Sequence, residues 1–224
     1  SPTITVAITA QVTPMKVGGT ATARGTLSGA ITGAGGTAVY TVYSDNACVT
    51  PLVANNSPSS VAVTNRSVAT SARITIDLAA TVYWRVVYSG DANHNGAQSP
   101  CTSFVVAKST PTLALTIVPA VSPMRTGGTA TGRVTITLAG TNAGGALTYT
   151  VYSNTTCSTV LTSPGSPSAV TVANRTVPNS AAITINRVGT VYWRASYAGD
   201  SNNNAANSSC IAQTISKAAP VLSL

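Results

Sequence analysis

An all-β chain of two tandem β-sandwich domains is what the sequence predicts, and three observations carry that prediction. The first is composition. Of 224 residues 44% are apolar, with many Val, Ile and Thr, while only 7% are charged, against about 25% in an ordinary globular protein. Disorder needs low hydrophobicity as well as a charge bias, so this balance indicates a strand-rich fold. The second is an internal repeat. An offset of 109 places "PMKVGGTATAR" (Pro14 to Arg24) on "PMRTGGTATGR" (Pro123 to Arg133) and "YTVYS" at Tyr40 on "YTVYS" at Tyr149. About half of the aligned positions are identical, without a gap. A period this long is a whole domain, because solenoid units repeat every 20–50 residues or so. The third is alternation of apolar and polar residues with a period of two, with no segment of helical periodicity.

The elements follow in order. "TITVAIT" (Thr3 to Thr9) reads as a first strand and "TATARGTLS" (Thr20 to Ser28) as a second. The turn "GAGG" then leads into "TAVYTVYS", with Ala38, Tyr40 and Val42 on one face and Thr41 and Tyr43 on the other. "SSVAVTN" and "ARITIDL" are short strands. "TVYWRVVYS" is the strongest, with Val82, Trp84, Val86 and Tyr88 sharing one face. In the second copy that set is Val191, Trp193, Ala195 and Tyr197, still apolar, while outward Val87 becomes Ser196. Tyr40, Trp84, Tyr88, Tyr149, Trp193 and Tyr197 are therefore expected in the cores. "CTSFVVAK" closes the domain. About seven short strands in about 100 residues point to an immunoglobulin-like sandwich. The expected organisation is residues 1–108, residues 109–217, and the first strand of a third repeat in residues 218–224, because "KAAPVLSL" aligns with "KSTPTLAL". The chain thus reads as a mature or excised piece, either a fragment of a longer array or one whose last strand belongs to something outside it, with Pro111 stiffening a joint that has almost no linker.

The stretches "TVYWRVVYSGDANHN" and "TVYWRASYAGDSNNN" carry a Y-x-W-R-x-x-Y-x-G-D-x-N pattern. With "GGTATARGTLSG" and "TAVYTVYSDNAC" it resembles the bacterial immunoglobulin-like domain repeats, strung in tandem in very large secreted or surface proteins. The resemblance covers both copies almost end to end. It implies a non-catalytic spacer or adhesive module on a cell surface. One departure is plain: antibody domains place the core Trp on the third strand, whereas Trp84 falls on the penultimate one.

Cys48 and Cys101, and Cys157 and Cys210, are equally spaced, one pair per copy. Four cysteines allow three pairings, and the repeat makes the two intra-copy bonds the simplest. Zinc would need four clustered ligands, usually in C-x₂₋₄-C spacing, which is absent. Disulfides imply an oxidising, extracytoplasmic compartment.

Net charge is +8, but the three Lys and nine Arg are scattered, with no basic stripe interleaved with aromatics as single-strand binders require. Nucleic acid is not an expected partner. Nor is membrane insertion, since no apolar run approaches the ~18 residues of a span. Acid–base catalysis usually needs His or paired carboxylates. There is no Glu, and the single His, His94, is Asn203 in the second copy. Only Asp91 recurs, as Asp200. No catalytic residue, metal ligand or cofactor is therefore expected. "DANHNG" has the D-x-N-x-N-G form of a calcium loop, but its twelfth position is Thr102 rather than a bidentate Glu, and Ala205 replaces the glycine in the second copy.

The stretch reads instead as a structural hairpin involving Arg85, Asp91 and Asn93, and Arg194, Asp200 and Asn202. Each Asp is expected to cap backbone N–H groups with the Arg within reach. Tyr43, Tyr83, Tyr152 and Tyr192 are expected on the outer face. The functional expectation is a rigid, disulfide-locked tandem module of a bacterial adhesin or extracellular filament. Its partners would be neighbouring repeats of the same or an adjacent chain, or an unidentified host or cell-surface ligand. The alternatives are a carbohydrate- or protein-binding module using end loops or Tyr rows, or a spacer in a large secreted enzyme.

Overall fold

The computed structural model describes residues 1–218. The chain divides into two compact units, the first Ser1–Lys108 and the second beginning at Ser109. The expected first strand of a third copy lies, apart from Ala218, outside the described residues.

The first unit contains β1 (Thr3–Ala10), β2 (Gly19–Ser28), β3 (Thr37–Tyr43), β4 (Ser59–Thr64), β5 (Ser67–Val68), β6 (Ile74–Ile76), β7 (Thr81–Tyr88), β8 (Ala97–Gln98) and β9 (Thr102–Val105). One antiparallel sheet has the order β1-β2-β6, and the other β5-β4-β3-β7-β8, with β9 also on β7. The second unit contains β10 (Thr112–Pro119), β11 (Gly128–Thr137), β12 (Ala146–Tyr152), β13 (Ser168–Thr171), β14 (Ile183–Ile185), β15 (Gly189–Tyr197), β16 (Ala206–Asn207) and β17 (Ile211–Ile215). Its sheets are β10-β11-β14 and β13-β12-β15-β16, with β17 on β15. Each unit is thus a two-sheet sandwich, with β1, β2 and β6 opposing β3 and β7 in the first and β10, β11 and β14 opposing β12 and β15 in the second. The fourth strand hydrogen-bonds to the third, which places it in the larger sheet.

The period-two alternation positions the core. Ala38, Tyr40 and Val42 of β3 lie opposite Tyr88, Val86 and Trp84 of β7, and all six are buried with Ile74 and Ile76 from the facing sheet. In the second unit Tyr149, Trp193, Ala195 and Tyr197 pack with Ile183 and Ile185 in the same way. Removing this much apolar surface from water is the main stabilising term for each sandwich.

After β1 the chain changes sheets. Val17 N–H donates to Ala107 O (3.0 Å) and Ala107 N–H to Met15 O (2.9 Å), a parallel bridge to the far side of the sandwich. Thr126, Ser216 and Met124 repeat it.

Two features differ from the single closing strand and plain turns of the sequence reading. The expected closing strand from Cys101 is β9, and an additional short strand, β8, precedes it across a kink at Ser99–Pro100–Cys101. Pro100 has no N–H for a ladder, and Ser99 takes over, its Oγ accepting from Val86 N–H (3.1 Å) and donating to Pro100 O (2.9 Å). Between β4 and β5, Asn65 (φ 48°) and Arg66 (φ 66°) are both left-handed, as a type I′ hairpin turn demands. Arginine is an unusual choice there. Its backbone N–H is held by Ala34 O (3.0 Å) and its guanidinium by Ala30 O (3.2 Å).

Candidate functional site

Both units concentrate their polar side chains in two places, an end-loop network and a disulfide-bearing outer face. The end loop begins at Gly90, where φ is +76° and an added Cβ would collide with His94 O and lie 2.7 Å from Gly96 N. Only glycine fits there. The chain reverses, and Asp91 and His94 exchange backbone hydrogen bonds. Asp91 Oδ2 accepts from Gly35 N–H (2.7 Å) and Oδ1 from Asn93 N–H (2.8 Å). His94 Nδ1 lies 2.8 Å from Asp91 Oδ1, and His94 Nε2 accepts from Ile31 N–H (3.2 Å). Tyr88 hydroxyl donates to Gly35 O (2.8 Å), closing the network across the β2–β3 connection.

The second unit rebuilds the network with different chemistry. Asp200 accepts from Gly144 N–H (2.7 Å), Asn202 N–H (2.7 Å) and Asn203 N–H (2.8 Å). Asn203 takes the place of His94: Nδ2 donates to Asp200 Oδ1 (2.8 Å), and Oδ1 accepts from Gly140 N–H (2.9 Å). Tyr197 hydroxyl donates to Gly144 O (2.6 Å) and lies 3.1 Å from Asp200 Oδ2.

These contacts set the electrostatics. The N–H groups of Gly35 and Asn93, with His94 beside them, hold the Asp91 carboxyl down at about 2. Burial works against Asp200, but the bonds from Gly144, Asn203 and Asn202 outweigh it and keep its carboxyl below the ordinary value. Burial, with the Asp200 charge, pushes the Tyr197 phenol up to about 12. A carboxylate surrounded by N–H donors is arranged to be satisfied by the protein. A divalent cation would face those same hydrogens, and it needs six to eight oxygens when it is calcium. Among the described residues no three His, Cys, Asp or Glu side chains cluster as a metal site.

The structure places Asp91 and Asp200 as caps of the hairpin, with Asn93 and Asn202 contributing backbone N–H groups. It corrects the placement of the arginines. Arg85 does not reach Asp91. It lies on the outer face of β7, three residues and about 10 Å before the strand ends at Tyr88, whereas Asp91 follows the turn at Gly90. Its guanidinium donates to Ala47 O (2.9 Å) and Cys48 O (3.4 Å) and stacks 5.8 Å over the Tyr43 ring. Arg194 stacks 5.1 Å over Tyr152 and donates to its hydroxyl (3.2 Å).

Arg85 thus grips the loop that carries the disulfide. Cys48–Cys101 and Cys157–Cys210 join Cα atoms 6.0 and 6.1 Å apart across 53 residues each, within ordinary disulfide geometry. The loop that presents Cys48 is built by Asp45, whose carboxylate accepts from Thr50 (2.6 Å), Ala47 (3.0 Å) and Val49 (3.2 Å) N–H groups. The Thr50 contact is foremost in holding that carboxyl below its usual value. Asn154 does the same work for Ser158 and Thr159 in the second unit. Tyr43 faces Tyr83, and Tyr152 faces Tyr192, as cross-strand pairs on the outer surface. Tyr152 is nonetheless buried, at 6% exposure, beneath Arg194.

Sequence reasoning missed the buried serines. Ser71 Oγ accepts from Ala23 N–H (2.9 Å) and donates to Ala72 O (2.8 Å), and Ser180 does the same for Gly132 and Ala181. Ser99 and Ser208 satisfy the kink in each closing strand. Their signal was identity in both copies at positions where neighbouring residues vary.

No protein-family model matches the sequence, and no curated protein matches it. Among solved structures the chain is similar to one titled "D0-D1 domain of Intimin", at 14% identity over 93% of this chain and 97% of that one, with a TM-score of 0.31. It is also similar to one titled "Structures of Clostridium thermocellum CbhA fibronectin(III)-like modules", at 13% identity over 94% and 95%, again with a TM-score of 0.31. At such scores superposition is only partial, and the fold assignment rests on strand order. By that order each of the two units is an immunoglobulin-like β-sandwich.

Proposed function

We propose that this chain is a non-enzymatic structural module: rigid, disulfide-locked tandem repeats of a bacterial cell-surface adhesin or extracellular filament. One observation carries the reading. The polar side chains that recur between the copies are spent on the protein's own backbone. Asp91 and Asp200, Ser71 and Ser180, Ser99 and Ser208, and Tyr40 and Tyr149 all satisfy main-chain groups of their own unit. An enzyme holds reactive groups poised toward a substrate, whereas here what is duplicated is the stabilising scheme. Two disulfides fit an oxidising compartment, and the extracellular or surface location proposed here rests on them. The partners under this reading are neighbouring repeats, in the same chain or an adjacent one.

Single-molecule stretching tests the proposal. At about 3.5 Å per residue, a unit of 108 residues with a 53-residue segment locked by its disulfide should reach a contour length of about 190 Å when it unfolds, and of about 380 Å after reduction, each step being shorter by the length of the folded unit. Two equal, reduction-sensitive steps are expected. Units that unravel without resisting force would overturn a mechanical role. A second reading, a binding module, draws on the half-exposed Tyr83 and Tyr192 opposite Tyr43 and Tyr152. Saturable glycan binding lost in Tyr83→Ala would favour it.

A further inference from the structure

His94 and Asn203 occupy aligned positions and make the same two contacts, yet only one of them titrates. Each bridges the end-loop carboxylate to a backbone N–H on the neighbouring connection, Ile31 in the first unit and Gly140 in the second. Ile31 N–H can only donate, so Nε2 must offer its lone pair. The carboxylate of Asp91 accepts, so Nδ1 carries the hydrogen. The ring is therefore the neutral Nδ1–H tautomer, and its side chain is only 7% exposed. A proton added at Nε2 competes with the Ile31 amide for one lone pair and leaves two N–H groups facing each other at 3.2 Å. Asn203 has no such proton to take up.

We propose that His94 is a proton-operated latch on the end loop of the first unit, releasing the tip that carries Ile31 on acidification, while the aligned tip of the second unit stays pinned at every pH. Imidazole is the side chain whose charge ordinarily changes between pH 5 and 8. The charged and titratable groups facing it are few. Asp91 lies against Nδ1 and stays ionised until about pH 2. Tyr88 reaches the same connection through Gly35 O and Arg66 through Ala30 O. The connection itself, residues 28–36, carries no ionisable side chain. The Ile31 bond and a proton on Nε2 exclude each other, so charging the ring breaks that bond whatever its other contacts.

The movement is bounded. Asp91 still holds Gly35, and Arg66 N–H still holds Ala34. Between these anchors and β2, Ile31 is flanked by Gly29 (φ +71°) and Gly33 (φ +94°). Glycines at such φ values let a short segment pivot. Ile31 is 66% exposed, so the latch governs how an apolar side chain is presented at one end of the unit.

Amide NMR of the full chain, titrated from pH 8 to 5, reads this directly. The Ile31 amide should shift with the same midpoint as the His94 ring protons. Its hydrogen-exchange protection, corrected for intrinsic rate, should fall about tenfold across that midpoint, the scale of one hydrogen bond. The Gly140 amide should do neither. His94→Asn should keep the fold and the Ile31 protection but lose the pH dependence, because Asn203 already fills this role. Ile31 protection that is flat through the His94 titration would overturn the latch, as would a pH dependence surviving in His94→Asn, or a ring still neutral at pH 5.

Discussion

The two copies solve one packing problem in reciprocal ways, and that reciprocity predicts a coupled pair of substitutions. In the first unit β2 places Ala23 and Gly25 beside Tyr40, whose hydroxyl accepts from Gly25 N–H (2.7 Å) and donates to Ala69 O (2.8 Å). At the aligned positions of β11 the second unit has Gly132 and Val134 beside Tyr149, whose hydroxyl donates to Pro178 O (2.8 Å). A Cβ on Gly132 would lie 2.6 and 2.9 Å from two Tyr149 ring carbons. That ring is fully buried and cannot retreat without breaking its hydroxyl bond. Gly132→Ala should therefore cost about 1–3 kcal/mol, the usual range for overpacking a filled core. For a domain of this size, with a urea slope of about 1–1.5 kcal/mol/M, the second unit's midpoint should drop by about 0.7–3 M. Val134→Gly alone should also destabilise, through lost packing and added unfolded-chain freedom. Together, Gly132→Ala and Val134→Gly reproduce the Ala–Gly pair of the first unit. The double variant should recover at least about 1 kcal/mol relative to the sum of the singles, as contacting positions commonly do. Hydrogen exchange by mass spectrometry along a urea series resolves peptides of the two units, so the first unit serves as an internal reference. A wild-type midpoint for Gly132→Ala, or strict additivity in the double variant, refutes the reasoning.

Three further expectations follow from single contacts. Trp193 Nε1–H donates to Gln213 Oε1 (2.9 Å), so Gln213→Ala, which removes the acceptor without supplying apolar contact in its place, should lower the second unit's stability by about 1–3 kcal/mol in urea unfolding. Replacing both Cys157 and Cys210 with Ser should cost about 4 kcal/mol in the chain-entropy account of a 53-residue crosslink, read as a lower melting temperature equal to that of the reduced wild-type unit. The Asp91 carboxyl is depressed to about 2, so its stabilising effect is fully present above its ordinary value near 4 and is lost as pH falls through 4 towards 2. Asp91→Asn should lower the melting temperature at pH 7 and flatten its acid dependence between pH 4 and 2 in scanning calorimetry.

The fold was legible because it is written as alternation. Val82, Trp84, Val86 and Tyr88 are buried and Tyr83 and Arg85 face outward, as period two requires, and the repeat tested each strand twice. The disulfides were legible for the same reason. What escaped the sequence depended on where polar atoms point after the chain folds. Arg85 and Asp91 are close in sequence, but an extended strand carries them apart, and the partners of Arg85 are carbonyls 37 and 38 positions away. The buried serines look like ordinary solvent-facing residues in a Ser-rich chain. Their role appears only where a ladder is interrupted, as at Pro100, and a local pattern does not reveal which interruption a hydroxyl must repair.

The differences between the copies separate what the fold demands from what it tolerates. At the end loop the demand is one donor toward the carboxylate and one acceptor for a backbone N–H, met by His94 or by Asn203. On the disulfide loop it is one acceptor for successive N–H groups, met by Asp45 or by Asn154. On the closing strand the rule is relaxed. Phe104 stands where Gln213 would bond the tryptophan, and Trp84 Nε1 has no partner among the described residues. An unsatisfied buried donor costs free energy, and apolar packing by Phe104 against the first core offsets it. Identity of the side chain is thus exchangeable wherever the hydrogen-bond role is preserved. Where that role is lost, apolar contact has to replace it. A chain with so few charges can hold its loops this way because neutral donors and acceptors, placed against the backbone, do the work that ion pairs do elsewhere.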